Sequence, residues 1–143
     1  MPPQDQNTIA MLGQAYSLFG FRIVECVVGA GYPQKPRHLA VFAQISPDGS
    51  RLSNLARGAN MTPQSMGEIV DELEELGYVR REPDPSDRRA KLIRLTPLGR
   101  RTVDAGKATV NGIEESHRGA GAEGHAELRR LLGRLLASAE GQR

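Results

Sequence analysis

The chain carries a single cysteine, Cys26, so it cannot close an internal disulfide, which fits a reducing compartment. No uninterrupted apolar run is long enough to cross a bilayer, and no basic N-terminal segment leads into an apolar stretch as in a signal peptide. A soluble, cytoplasmic protein with no membrane partner is expected. Internal repeats and low-complexity tracts are lacking too. So are a Gly-rich phosphate loop, a nucleophile elbow and a metal motif. His38, His117 and His125 are scattered, with no second ligand at metal spacing. Catalysis has no anchor in such a sequence, so an enzyme is not expected, nor is a metal or other cofactor. Cys26 lies in the apolar run "IVECVV", where a buried packing thiol is expected and a redox sensor is the alternative.

What is present is enough chain, 143 residues, for one good core and little more. The net charge of +2 matters less than its distribution. Between Arg80 and Arg101, eight cations stand against Glu82, Asp84 and Asp87, a net of +5. From Thr62 to Gly77 the balance reverses, with Glu68, Asp71, Glu72, Glu74 and Glu75 and no cation, a net of −5. A nucleic-acid partner would have to be met by the basic stretch and tolerate the acidic one.

Helical periodicity dominates the chain. Ile9, Leu12, Tyr16, Phe19, Ile23 and Val27 recur at spacings of three and four, predicting one long amphipathic helix over residues 8 to 30. Gly31, Pro33 and Pro36 end it. A shorter helix is expected at about 37 to 46, stopping at the turn "SPDGS". Leu52, Leu55, Ala56 and Ala59 then form a helical stripe after a Ser50 cap. Asn60 and Met61 make a tight turn. Thr62 caps the next helix with Pro63 at its first position, where the missing N–H costs nothing. Met66, Ile69, Val70, Leu73 and Leu76 are its buried stripe, and Gly77 suits the left-handed residue that ends it.

This helix-turn-helix pattern is followed by two strand candidates, "YVRRE" and "AKLIRL", with Val79, Ile93 and Leu95 inward. The intervening "PDPSDRRA" reads as a loop too long for a two-residue hairpin, and loops of that kind on a small sheet are often functional. Thr96 caps a further helix with Pro97 in its first turn. The expected fold is therefore mainly α with a small antiparallel β-hairpin wing: a winged helix-turn-helix at 36–97, with helical regions at 1–35 and 98–143.

Those terminal regions carry apolar faces in excess of what so small a core can cover. Leu98, Val103, Val110 and Ile113 lie on one helix, and Leu128, Leu131, Leu132, Leu135 and Leu136 on another after "RGAGAEG". With residues 8 to 30, they must pack on one another or on a second subunit. The glycines at 106, 112, 119, 121 and 124 weaken these helices.

The stretch "LARGANMTPQSMGEIVDELEELGYVRREPDPSDRRAKLIRLTPLG" resembles the MarR family of bacterial transcriptional regulators, most sharply in the D-P-x-D-R-R run, the L-T pair and the glycine after it. Motif-level similarity covers about residues 50 to 100. The resemblance implies a homodimer built by interlocking N- and C-terminal helices, hence dimerisation helices at both ends of the chain. Each subunit would offer one recognition helix and one wing to a pseudo-palindromic operator in double-stranded DNA. Many family members release DNA when a small molecule binds or a cysteine is oxidised, so the resemblance implies a repressor, or else an activator, modulated by a small-molecule effector.

Different residues then take different work. Gln64 and Ser65, in the first turn of the second helix, belong to the end that such motifs insert in the major groove, where Gln bridges adenine N6 and N7 and Ser pairs with several base edges. Thr62, Pro63 and the free N–H groups around them suit a phosphate. Glu68 shares the face of Gln64 and Ser65, where family members often carry Arg; it either accepts from cytosine N4 or repels phosphate. Asp71, Glu72 and Glu75 read as a solvated face. In the wing, Arg88 and Arg89 at the loop tip are placed to reach a minor groove. The family pattern points to Arg89 as the inserted residue, with Asp87 bracing the loop by a local ion pair; Arg88, Lys91 and Arg94 would contact phosphates. Tyr16, Phe19, His38 and Phe42 are candidates to line an effector pocket, or simply core. The alternative function is a winged-helix protein-interaction module with lost operator recognition, as Glu68 and the acidic helix would permit.

Overall fold

The computed structural model describes residues 6–119 and 121–141. Residues 1–5, 120 and 142–143 of the expected dimerisation region, with part of the "RGAGAEG" connection, lie outside them. Helix α1 (Thr8–Gly29) starts at Asn7, whose side chain accepts the Ala10 N–H at 2.9 Å. A 3-10 turn (Pro36–His38) leads into the short α2 (Leu39–Phe42), so the helix expected at 37 to 46 is only a few residues long. Next come β1 (Ser50–Arg51), α3 (Leu52–Gly58), α4 (Pro63–Glu75), β2 (Val79–Asp84), β3 (Asp87–Leu95), α5 (Pro97–Gly119) and α6 (Ala122–Glu140).

By contact density the chain divides into two compact units, Met1–Lys107 and Ala108–Arg143. The core of the first is a winged helix. Met66, Ile69, Val70 and Leu73 of α4 pack with Leu55 and Ala56 of α3, Val41 of α2, Tyr78 just before β2, and Val79, Ile93 and Leu95 from the sheet. Met66, Ile69, Val70 and Leu73 and the inward strand residues are thus as the periodicity predicts, but Leu76, expected in the same stripe, is the C-cap of α4 and is exposed, because the helix ends before it turns back onto the core. Thr62 caps α4 by accepting the Ser65 N–H at 3.1 Å, Pro63 sits in the first turn, and Gly77 takes φ 76°.

The sheet is three-stranded and antiparallel, in the order β1-β3-β2. Strand β1 is absent from the sequence expectation. Ser50 pairs with Ile93, and its hydroxyl accepts the Ser46 N–H at 3.0 Å, so it is not the cap of α3. That place belongs to Arg51, which makes no side-chain cap. A two-residue strand has no periodicity to read.

The wing also differs from expectation. Its strands run to the tip, Asp84 opposite Asp87, so "PDPSDRRA" is mostly strand and only Pro85 and Ser86 form the turn. Asp84 makes the tight closure possible, because its carboxylate accepts both the N–H (2.9 Å) and the hydroxyl (2.7 Å) of Ser86, with Pro85 presetting the backbone between them. Pro83 is accommodated on the edge strand beside a bulge.

Thr96 and Gly99 fasten the wing to α5. The Thr96 hydroxyl donates to Gly77 O at 2.5 Å and accepts the Gly99 N–H at 3.0 Å. A Cβ at Gly99 would stand 1.9 Å from Tyr78 O, so only glycine fits.

In α1 the inward residues are Gly20, Val24 and Val27. The predicted stripe is largely uncovered in the single chain: Ile9 is 72% and Tyr16 70% exposed, and Leu18, Phe19 and Phe21 also face out. Cys26 is exposed, not a buried packing thiol. An α-helix apolar on most sides leaves its buried register open, and here the register follows the close approach of Gly20 to Leu39. By length and composition α1 could also cross a bilayer, contrary to expectation, because Arg22 and Glu25 interrupt the run without removing its apolar average. In the second unit, Glu114 on α5 lies within 3.3 Å of Arg129 and 3.9 Å of His125 on α6, while Leu128, Leu131, Leu135 and Leu136 are exposed.

Candidate nucleic-acid interface

The first turn of α4 presents Pro63, Gln64 and Ser65 to solvent, opposite the buried face of Met66, Ile69, Val70 and Leu73. The preceding turn includes Asn60 at φ 54°, a left-handed conformation Asn tolerates better than most side chains. Thr62 also donates its hydroxyl to Ser65 Oγ at 3.0 Å, which fixes the serine as part of the cap. Gln64 is thus the long polar side chain at this end. Glu68 comes one turn later on the same exposed side.

The acidic face of α4 is not simply solvated. Glu72 is half-buried and holds three groups of the 35–38 segment: Lys35 Nζ at 3.2 Å, the Arg37 guanidinium across both oxygens, and His38 Nε2 at 2.9 Å. These bonds, the one from Arg37 foremost, lower the Glu72 carboxyl to about 2. His38 is fully buried, and its Nδ1 accepts the Lys35 N–H at 3.1 Å, so the ring proton lies on Nε2 and points at Glu72. Burial pushes its pKa down. On the other flank, Arg81 of β2 pairs with Asp71 at 2.7 Å and Glu74 at 2.5 Å. Three of the five carboxylates are therefore neutralised within the fold. These partners lie up to 37 residues away, and no local pattern announces them.

The cations of the basic stretch divide in the same way. Arg81 is spent on α4. Arg80 and Arg94 both pair with Glu82, at 2.6 and 2.8 Å. Arg88, Arg89 and Lys91 are exposed on β3 and form no ion pair among the described residues. Asp87 accepts the Arg89 N–H at 3.0 Å and stands 4.0 Å from Arg51, a long contact. The principal brace is one that sequence reading misses. Asp84, buried, receives Arg51 Nη2 at 2.6 Å and Nε at 2.8 Å, and its carboxyl is lowered to about 2, first by the two Ser86 bonds and then by Arg51.

The four candidate effector residues sit in different surroundings. Tyr16 and Phe19 are exposed on α1, His38 is buried against Glu72, and Phe42 packs edge-on against Tyr78 with ring centroids 5.9 Å apart. A polar cleft of about 330 Å³ opens at the foot of the wing, lined by residues including Gln44, Ser50, Arg51, Asn54 and Asp84.

A capped second helix with an exposed first turn, beside a braced hairpin with uncommitted cations, defines a winged helix-turn-helix protein. Residues 48–91 match the family model described as "MarR family". Solved structures extend the likeness over nearly the whole chain. A probable transcriptional regulator from Pseudomonas aeruginosa is 26% identical with a TM-score of 0.71, covering 92% of this chain and 98% of its own. CouR from Rhodococcus jostii RHA1, bound to p-coumaroyl-CoA, is 29% identical with a TM-score of 0.71, covering 93% and 92%. The transcriptional repressor CouR bound to a 23-mer DNA duplex is 25% identical over 97% of this chain and 96% of its own, also with a TM-score of 0.71. The fold is that of the MarR-family transcriptional regulators.

Proposed function

We propose that the chain is a homodimeric, cytoplasmic regulator that binds a pseudo-palindromic operator and represses transcription until a small-molecule effector binds. Residues 36–97 would be the DNA-binding domain, and 1–35 with 98–143 the dimerisation region. The observation that carries this reading is the pairing of Gln64, exposed on a rigidly capped helix start, with the uncommitted Arg88, Arg89 and Lys91 on a wing held by Asp84. Gln64 and Ser65 would meet base edges, Thr62 and Pro63 a phosphate, and Glu68 a cytosine amino group or nothing. Arg89, steadied by Asp87, would enter the minor groove, with Arg88 and Lys91 on phosphates. Arg94, held by Glu82, would have to leave that partner to join them.

Support for the partners comes from CouR, which has been seen both on DNA and with p-coumaroyl-CoA. The uncovered stripe of α1 supports the dimer. An effector site is proposed on that same side, at Tyr16 and Phe19, with His38 and Phe42 reached only if the effector separates them from Glu72 and Tyr78. Pairing of Asp71, Glu72 and Glu74 within the fold weighs against the interaction-module alternative, while Glu68 and Glu75 stay exposed on α4. The test is titration of labelled duplex from the DNA flanking the chain's own gene at rising salt. Tight binding that weakens steeply with salt and falls in Gln64→Ala upholds the proposal; weak binding indifferent to Gln64→Ala rejects it.

A further inference from the structure

The apolar face of α4 is held by Met66, Ile69, Val70 and Leu73, and apolar contact is non-directional. It keeps the helix on the core and sets which face is buried, and the finer rotation about the helix axis is left to directional bonds. Directional bonds are found on both flanks. Glu72 on one side reaches Lys35, Arg37 and His38, in the segment between α1 and α2. Glu74, with Asp71, reaches Arg81 at the start of the wing on the other.

We propose that Glu72 is a positioning residue for DNA reading: with the Arg81 pairs opposite, its bonds to Lys35, Arg37 and His38 fix the rotation of α4 and so aim Gln64 and Ser65. The proposal rests on the DNA-binding function proposed for the chain. Glu72 lies eight residues beyond Gln64, about 12 Å along the helix, so it acts through the helix and not on a base.

The expected effect has a sign opposite to the simple electrostatic one. Removing a carboxylate and releasing Lys35 and Arg37 makes the protein more positive, which by charge alone tightens binding to any DNA. Loss of aim weakens binding to the correct sequence only.

The test compares wild type with Glu72→Ala and Arg81→Ala, all well below their unfolding temperatures. The two probes are labelled duplex from the DNA flanking the chain's own gene and a shuffled duplex of equal length. Positioning predicts about a tenfold loss on the flanking duplex in Glu72→Ala, the size of one base contact. The shuffled duplex should bind at or above the wild-type level. Unchanged or tighter binding of Glu72→Ala to the flanking duplex overturns the proposal, as does an equal loss on both duplexes. Should Glu72→Ala not fold, Glu72→Met, which keeps the side-chain bulk but offers no carboxylate to Lys35, Arg37 or His38, is read by the same criteria. If the wild type does not distinguish the duplexes, the DNA-binding function itself fails. The clamp is then judged without DNA, by hydrogen exchange of the amides of residues 67–75. Faster exchange in Glu72→Ala upholds it, and wild-type rates overturn it.

Discussion

Arg51, the last residue of a two-residue strand, closes on Asp84 at the turn of the wing with Nη2 2.6 Å from Oδ2. The contact ties the hairpin tip to the strand before α3, and Asp84 in turn holds Ser86. Arg51→Ala should therefore loosen the wing while leaving the helical core intact. Hydrogen exchange should accelerate at residues 84–89 and stay at wild-type rates in α4. Equal acceleration throughout would show that the contact supports the whole domain instead.

Three of the carboxylates and one histidine give the fold a pH signature. Glu72 and Asp84 are each lowered to about 2 in the folded state, so their contribution is present above their ordinary values and is lost as pH falls from there towards 2. Glu127, lowered by Arg130, has the same sign. His38 is also lowered, by burial, so the unfolded chain binds its proton first and stability starts to fall as pH drops below about 6.5. Urea midpoints measured from pH 7.5 to 5 should decline in wild type and stay flatter in His38→Gln. A wild-type decline that His38→Gln retains in full would assign it to other groups.

Gly99 sits where a side chain cannot. Gly99→Ala puts a Cβ against Tyr78 O at the junction of wing and α5, and should cost about 3 kcal/mol, the upper range for overpacking. Chemical denaturation checks this. A loss below about 0.5 kcal/mol, typical of a surface change, would mean the junction relaxes freely.

How much of the fold and the site is legible in the sequence depends on range. Thr62, Pro63 and Gly77 announce the limits of α4 because capping is chemistry within four residues, and Val79, Ile93 and Leu95 announce themselves by alternation. The braces are silent by comparison. Arg51 is 33 residues from Asp84, and Lys35 is 37 from Glu72, so nothing local marks either pair. The acidic run of α4 resembles an obstacle to DNA only while its partners are out of view. The wing resembles a long loop because Asp84, Pro85 and Ser86 have loop composition, yet Pro85 and Ser86 alone form the turn between paired strands. In α1, apolar residues on most sides hide which face is buried.

The uncovered side of α1 makes an oligomer prediction. Sedimentation should give about twice the 15.6 kDa of one chain. Leu18→Asp with Phe21→Asp should shift it towards one, because charges on a buried apolar face are not tolerated. A wild-type monomer at micromolar concentration would contradict the homodimer.

Footprinting of the purified protein on the DNA flanking its own gene bears most directly on the central claim, that the first turn of α4 and the wing cations together read an operator. The account predicts two protected half-sites about one helical turn apart, centre to centre, with protection lost in Arg89→Ala at physiological salt. No protection by the wild type at low salt, or a footprint indifferent to both Gln64→Ala and Arg89→Ala, would contradict it.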